Sequence, residues 1–539
     1  MPQILRNGYC FLLLGNFQRI SIDNDIVRYH IKPVFLDIIY KKKGGFYMFE
    51  SIWTEVELER RPKLTENKKT EVVIVGAGLT GLLIAYYLQE DGMNVIVLEG
   101  DRIGCGMTRN TTAKITSQHN LIYKDLIDKY GMEKAREYAR YNERAIKEYE
   151  RLIAHLHIDC DFERKDSYVY SVKETQSLKE EVRAARSLGI DADFTTETAL
   201  PFSVKGAVKF PNQAQFHPFK FLKAIADKLE IYEETVVEKR KGEHTLEVSV
   251  SLDDEREMTY EVEADVIVLA NHYPIERVEG LYAARMYQER EYVLVVKAPN
   301  ALPYGMYVAA KNMGYSFRSY KDYVIIAGSN HRPGEKQEQN SIVKMEETVR
   351  HYYKDAEISY RMANQDCITL DKVPYIGHFT KNSNHVYIAT GFNKWGMSHA
   401  MVSALLLTEM IGKGEDKKDS IFHPARFELK ASKKELKEHL ATVMNQLTLK
   451  RLEFHKESID ELEPGQGDVI TKHGKKIAVY KEEDGTVNCF LARCPHLGCL
   501  LEWNQEEKSW DCPCHGSRFT KDGQLINGPA NGDMKEEHL

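Results

Sequence analysis

No apolar run in this 539-residue chain approaches the roughly 20 residues a helical membrane span needs. The N-terminal FLLLG (11–15) is too short for a signal h-region, and no small-residue cleavage site follows it. Positive charge is not in excess either: 74 Lys and Arg stand against 81 Asp and Glu, which argues against nucleic acid as a partner. No internal repeat or low-complexity segment is apparent, and only one glycine fingerprint of the dinucleotide type is present. Cysteine is sparse along most of the chain, yet five of the nine fall between 489 and 514. These absences point to a cytoplasmic protein with no transmembrane segment, and the length to three or four compact units.

The crowded cysteines lie in CPHLGC (494–499) and CPCHGSRF (512–519). Cys494 and His496 are two apart and Cys512 and His515 three apart, so each pair can sit on its own turn and offer one thiolate and one imidazole. That set suits a two-iron cluster in which thiolates hold one iron and neutral imidazoles the other. Two Cys and two His also suit tetrahedral zinc. Zinc, however, requires neither the Leu-Gly-Cys after the first His, nor the Gly-Ser after the second, nor the late Gly528-Pro529-Ala530.

The pattern C-x-H-x15-C-x-x-H followed by Gly-Ser resembles the Rieske proteins. The resemblance implies a [2Fe–2S] cluster on Cys494, His496, Cys512 and His515, a Cys499–Cys514 disulfide as in the cytochrome-complex type, and Ser517 donating to a bridging sulfide, which raises the potential. It also implies ligand histidines whose exposed nitrogens couple reduction to protonation. A disulfide runs against the cytoplasmic placement, unless packing over the cluster shields it from exchange.

Nearer the other end, EVVIVGAGLTGLL (71–83) reads as a strand, a turn and the start of a helix, and NVIVLEG (94–100) as a second strand. Gly76 permits the tight turn, Gly78 the approach of a pyrophosphate to the backbone, and Gly81 close helix–strand packing. Ala77, Leu79 and Thr80 complete the loop and the helix start, whose N–H groups face a diphosphate. Glu99 stands where a ribose-binding acid is expected. A [2Fe–2S] centre passes single electrons, while nicotinamide moves hydride only; flavin does both, so FAD is the dinucleotide that couples to the cluster.

Residues 70–415 resemble the FAD-dependent oxidoreductases of the D-amino-acid oxidase and glycine oxidase class, through the fingerprint, ADVIVLAN (264–271), LDKVPYIG (370–377) and VYIATGFNKWGMSHA (386–400). By that resemblance Gly391, Gly396 and Met397 sit at a helix N-terminus aimed at the flavin's pyrimidine edge, and Val236 meets the adenine. In GCGMTRNTTAKITSQH (104–119), Thr111, Thr112 and Lys114 are candidate flavin contacts and Arg109 a phosphate contact; Cys105 is read as a buried small residue. Tyr315, Arg318 and Tyr320 in GYSFRSY resemble a strand that projects an arginine toward a substrate carboxylate. His272, His331 and His399 fall near flavin-facing turns and are candidate proton relays.

The expected fold is α/β plus all-β: a Rossmann-like FAD-binding domain, an inserted antiparallel-sheet substrate domain, then a small β Rieske domain. FAD-binding parts span 48–160, 215–282 and 365–425, with substrate-domain parts at 161–214 and 283–364. A helical linker at 426–457, docked by one apolar face, leads to the Rieske domain at 458–539. Residues 1–47 look unlike the rest and read as a non-globular extension, with Met48 the expected start. The expected function is oxidation of a small amine, amino acid or hydroxy acid at FAD, with electrons passing through the cluster to a separate acceptor. The alternative is an electron-transfer or redox-sensing protein without a metabolite substrate. An oxygenase is disfavoured because no two-His-one-carboxylate set is evident outside the cluster motif.

Overall fold

The computed structural model describes residues 49–537 except 253–255, 276–278, 300–302, 313, 336–340, 355, 416, 427–432 and 448–458. The expected extension 1–47 and start at Met48 therefore lie outside the described residues.

The β-branched run of Lys68–Val75 forms the centre of an eight-stranded sheet. It pairs in parallel with Val95–Leu98 on one side and Glu257–Leu269 on the other. Glu230–Tyr232 extends one edge; Val386–Thr390 and the antiparallel Tyr375–His378 extend the other. Buried on both faces, the central strands read as continuous Val/Ile/Leu rather than as alternation. The glycine-opened helix Leu79–Glu90 and the helix Gly396–Ile411 pack together over one face.

A nine-stranded, largely antiparallel sheet stands against this unit. At one end Met286–Lys297 lies between Glu357–Thr369 and Tyr323–His331. One face of the strands contributes Val293, Val295, Ile325 and Ala327 to the main core shared with the nucleotide sheet. The opposite face contributes Tyr292, Leu294, Val324 and Ile326 to a separate core closed by Ile342, Met345 and Val349 of the helix Ser341–Tyr352.

Beyond the helix Lys433–Leu447, two small antiparallel sheets of three and four strands span 467–491 and 502–527. Trp510, Phe519 and Leu501 fill their core beside the motif cysteines. His439 of that helix is fully buried and Val443 packs on the same core, so the described part of the expected linker is a docked element.

Candidate functional site

The two cysteine loops share one backbone design. Gly498 N–H donates to Cys494 O at 2.9 Å, and Gly516 N–H to Cys512 O at 2.9 Å. Each loop is closed by a second bond, Cys494 N–H to Cys499 O at 2.9 Å and Cys512 N–H to Ser517 O at 2.8 Å. Both glycines have positive φ, +75° and +86°, a conformation a side chain would strain. These tight turns bring the Cys494 and Cys512 side chains within hydrogen-bond reach of each other. The two imidazoles stand 5.0 Å apart, nearly perpendicular. Cys499 and Cys514 are joined as a disulfide beside Cys512.

The donor chemistry fits a cluster. A hydrogen bond from Cys512, with help from the backbone of His496 and Leu497 and from the Ser517 hydroxyl, outweighs burial and draws the Cys494 thiol below its ordinary value. The Nδ1 of His515 is buried and makes no hydrogen bond, as a nitrogen reserved for a metal would. Ser517, buried, accepts from Ala530 N–H at 3.0 Å, which fixes its hydroxyl near Cys494.

The two motif histidines are buried. His496 and His515 are only 6% and 3% exposed. His439 packs on His515 at 6.0 Å, and its own Nε2 hydrogen-bonds Ala283 O at 3.0 Å. At His515 the expectation of a solvent-facing nitrogen fails, because the helix carrying His439 and the segment at Ala283, both distant in sequence, cover this edge.

A cavity of about 390 Å³ opens at the C-terminal ends of the central parallel strands, the place where open α/β sheets bind ligands. Gly76, Gly78, Leu79, Thr80, Glu99 and Val236 line one end; Thr111, Thr112, His272, Gly396 and Met397 line the wall toward the other. Gly76 is there by necessity: φ is +104°, and a Cβ would stand 2.9 Å from Ala270 O. A Cβ on Gly78 would meet nothing nearer than 3.7 Å, leaving its backbone open to a ligand. Gly81 lies behind the cavity, where a Cβ would fall 1.9 Å from Gly76 O. Glu99 accepts from Ala77 N–H at 2.7 Å and Asp101 N–H at 3.0 Å, and burial pushes its carboxyl up to about 6 against those bonds. The lead-in segment pins the polar loop, with Trp53 Nε1 donating to Thr111 O at 2.7 Å and Ser51 Oγ to Arg109 O at 2.5 Å.

Other candidates stand apart from the cavity. Arg318 is fully buried, donates to Ala113 O at 2.7 Å and lies between the rings of Trp53 and Tyr320. Tyr315 belongs to the sheet's other face, its ring over Gly328 and its carbonyl accepting from Tyr170, while Tyr320 bonds Asp161. Lys114 sits one layer behind the wall, donating to Thr112 Oγ1 and Ser316 Oγ at 3.2 Å. Gly391 packs on Thr369; His331 bonds its own strand at Ser329 O; buried His399 bonds Phe392 O and Tyr138. Sequence reasoning did not single out Glu291, Asn364, Asp366 and Lys394, which line the cavity's far end. Their only signal is register: odd positions of Met286–Lys297 and even positions of Glu357–Thr369 share the face toward the nucleotide sheet.

Residues 71–410 match the family described as FAD dependent oxidoreductase. The chain belongs to the FAD-dependent oxidoreductases. Its C-terminal part, 454–536, matches the Rieske [2Fe–2S] domain. A Bacillus subtilis (strain 168) protein named as the Rieske 2Fe-2S iron-sulfur protein YhfW is 34% identical over 507 residues, covering 91% of this chain and 98% of that one. The cytochrome b6-f complex iron-sulfur subunit 2 of Cyanophora paradoxa is 47% identical over 60 residues, 11% of this chain and 25% of its own. Glycine oxidase from Geobacillus kaustophilus shares the fold, with a TM-score of 0.54 at 16% identity over 67% of this chain and all of that one. So does L-proline dehydrogenase from P. horikoshii, at 0.53 and 18%, over 67% of this chain and 98% of that one. This oxidoreductase carries FAD and a Rieske [2Fe–2S] cluster. Among the described residues no helix is long and apolar enough to cross a membrane.

The two sites meet across one pair of strands. On Glu357–Thr369, Asn364 and Asp366 line the 390 Å³ cavity, while Gln365 between them points the other way and donates to Gly516 O at 2.7 Å. On its neighbour, Glu291 lines the cavity, while Gln288 donates to His515 O at 2.7 Å and Gly528 O at 3.0 Å. Gln365 and Gln288 also bond each other at 2.6 Å. Arg290 forks onto Glu507 of the Rieske part, a carboxylate also held by Arg518 Nη2 at 2.9 Å.

Proposed function

We propose that this oxidoreductase takes an electron pair from a small amine, amino acid or hydroxy acid at FAD and returns it singly through the Rieske cluster to a separate acceptor. The observation that supports this reading is the alternation on Glu357–Thr369, whose Gln365 binds the second cluster loop while Asn364 and Asp366 face the flavin cavity. A pleated strand presents successive side chains to opposite faces. One strand pair therefore divides the two redox sites, and the loop nearest it is the one that bears Cys512 and His515. FAD, when bound, supplies the change from two-electron to one-electron chemistry. Histidine ligation places Rieske potentials within roughly −150 to +300 mV, which favours flow from a reduced flavin to the cluster. The chain's own residues close the site: Gln288 and Gln365 hold the Cys512 loop, and Arg290 holds Glu507 beside it. The reading includes a cytoplasmic location.

Anaerobic mixing of the purified holoprotein with amines, amino acids and hydroxy acids, followed by low-temperature EPR, tests it. Flavin bleaching followed by a Rieske signal is the expected result. Bleaching by no compound, with reduction only by a partner protein, would replace it with a carrier or sensor.

A further inference from the structure

The far end of the flavin cavity is acidic in a specific way. Lys394 is the only lysine or arginine among the described residues lining it, and its charge is already used: Nζ stands 3.0 Å from Glu289 and 2.6 Å from Asn330 Oδ1. Lys394 is placed there by strained backbone, with φ of +53° at Asn393 and +72° at Lys394. Asn393 holds that turn by accepting from Thr369 N–H at 2.9 Å and donating to Gly391 O at 2.7 Å. Lys394 also lines a second cavity of about 470 Å³.

Glu291 and Asp366 remain. Both face the cavity and lie in the field of Lys394, which they share with Glu289, so three carboxylates stand against one ammonium. A separate observation also calls for a donor. The Oδ1 of Asn364, a residue on the same wall and only 8% exposed, is buried without a partner, and buried polar atoms are normally satisfied. An excess of carboxylates over the single lysine, beside an unpaired acceptor, matches a ligand that is positively charged and rich in N–H groups. A substrate carboxylate finds no such match in this cavity: Arg318, the expected carboxylate fork, is fully buried outside its lining, with Nη1 on Ala113 O.

We propose that the substrate is a cationic amine that needs no carboxylate, bound at the far end of the flavin cavity by Glu291 and Asp366, with Asn364 accepting one of its N–H bonds. The proposal rests on the reading of the chain as a dehydrogenase and deepens it. Asp366 takes one ammonium proton and leaves the neutral amine. The hydrogen on the adjacent carbon then leaves with its electron pair to the flavin, the oxidant, and carbon and nitrogen form an iminium cation. Water converts that cation to a carbonyl compound and ammonium. Burial pushes the Asp366 carboxyl up to about 7, so it can both accept and release a proton near neutrality.

The test uses the full holoprotein and a pair of unreactive probes, α,α-dimethylbenzylamine, a primary ammonium with no hydrogen on the adjacent carbon, and benzoate, titrated while the flavin absorbance is followed. The expected result is a saturable spectral change with the cation only, and a Kd at least tenfold weaker in both Glu291→Gln and Asp366→Asn. Binding of benzoate but not the cation, or variants that leave the cation's Kd unchanged, would overturn the proposal. Benzylamine, phenylglycine and mandelate are then compared as anaerobic flavin reductants, with benzylamine expected to be fastest; reduction by mandelate alone would also overturn it. Light-driven flavin reduction followed by cluster EPR separates the two levels. If the cluster is reduced by light but by no amine, the substrate class fails and the electron route stands.

Discussion

Arg290 is the strand residue whose loss should most directly loosen the flavoprotein part from the cluster part. Its side chain is 7% exposed and that of Glu507 is 5% exposed, so the pair is shielded from water. Glu507 also receives Arg518, which in turn pairs with Asp511 at 2.9 Å; the four charges cancel. Arg290→Met keeps the apolar stem and leaves one negative charge uncompensated. Breaking a buried pair costs about 3–5 kcal/mol. Because Arg518 still holds Glu507, the lower end applies, about 3 kcal/mol, or roughly a hundredfold in the docking equilibrium at about 1.4 kcal/mol per tenfold. Native-state hydrogen exchange reads this opening locally. Exchange of the Rieske segments holding Glu507 and Gly516 should accelerate about a hundredfold, while the central nucleotide strand Lys68–Val75 is unchanged. Arg290→Met combined with Glu507→Gln should recover most of the loss, since the orphaned charge is gone. Equal exchange in wild type and Arg290→Met would refute the claim that this pair fastens the two parts.

Three further outcomes follow from the same geometry. His515→Ala should abolish the Rieske EPR signal while flavin absorbance persists, because the flavin cavity shares no residue with the cluster loops; loss of both cofactors would contradict the division. Gly81→Ala forces a Cβ to within 1.9 Å of Gly76 O. It should destabilise by about 1–3 kcal/mol or more and lower FAD retention, measured by thermal unfolding and bound-flavin absorbance. Burial alone would raise the Glu507 carboxyl, but Arg290 and Arg518 prevail and hold it at about 2, below the usual value of 4.5. Its stabilisation is therefore complete above about 4.5 and is lost as pH falls toward 2. Thermal stability should drop more steeply across that window in wild type than in Glu507→Gln; parallel curves would show that the group is not linked to stability.

The cluster loops were legible in the sequence because everything that shapes them is local: a Cys/His pair, a glycine with positive φ, and a closing bond within six residues. The fingerprint at 76–81 was legible for the same reason, as was Glu99. What escaped depends on register across long separations. Gln288 and Gln365 are unremarked glutamines until strand pairing puts them against the Cys512 loop, and Glu291, Asn364 and Asp366 are ordinary polar residues until the same pairing turns them to the cavity. Arg318 shows the converse. Its strand and its face toward the nucleotide sheet matched the expected substrate arginine, yet packing between Trp53 and Tyr320 sends it to Ala113 O. The covered histidines were invisible for a similar reason, since the helix carrying His439 is 76 residues from His515 and nothing in either motif encodes their contact.

The central claim is that electrons cross from flavin to cluster within one chain. Flash photoreduction of the flavin in the anaerobic holoprotein, with the cluster signal followed over a range of protein concentrations, tests it most directly. Cluster reduction at a rate independent of concentration is the predicted result; a rate that rises in proportion to concentration, or a flavin that stays reduced beside an oxidised cluster, would contradict it.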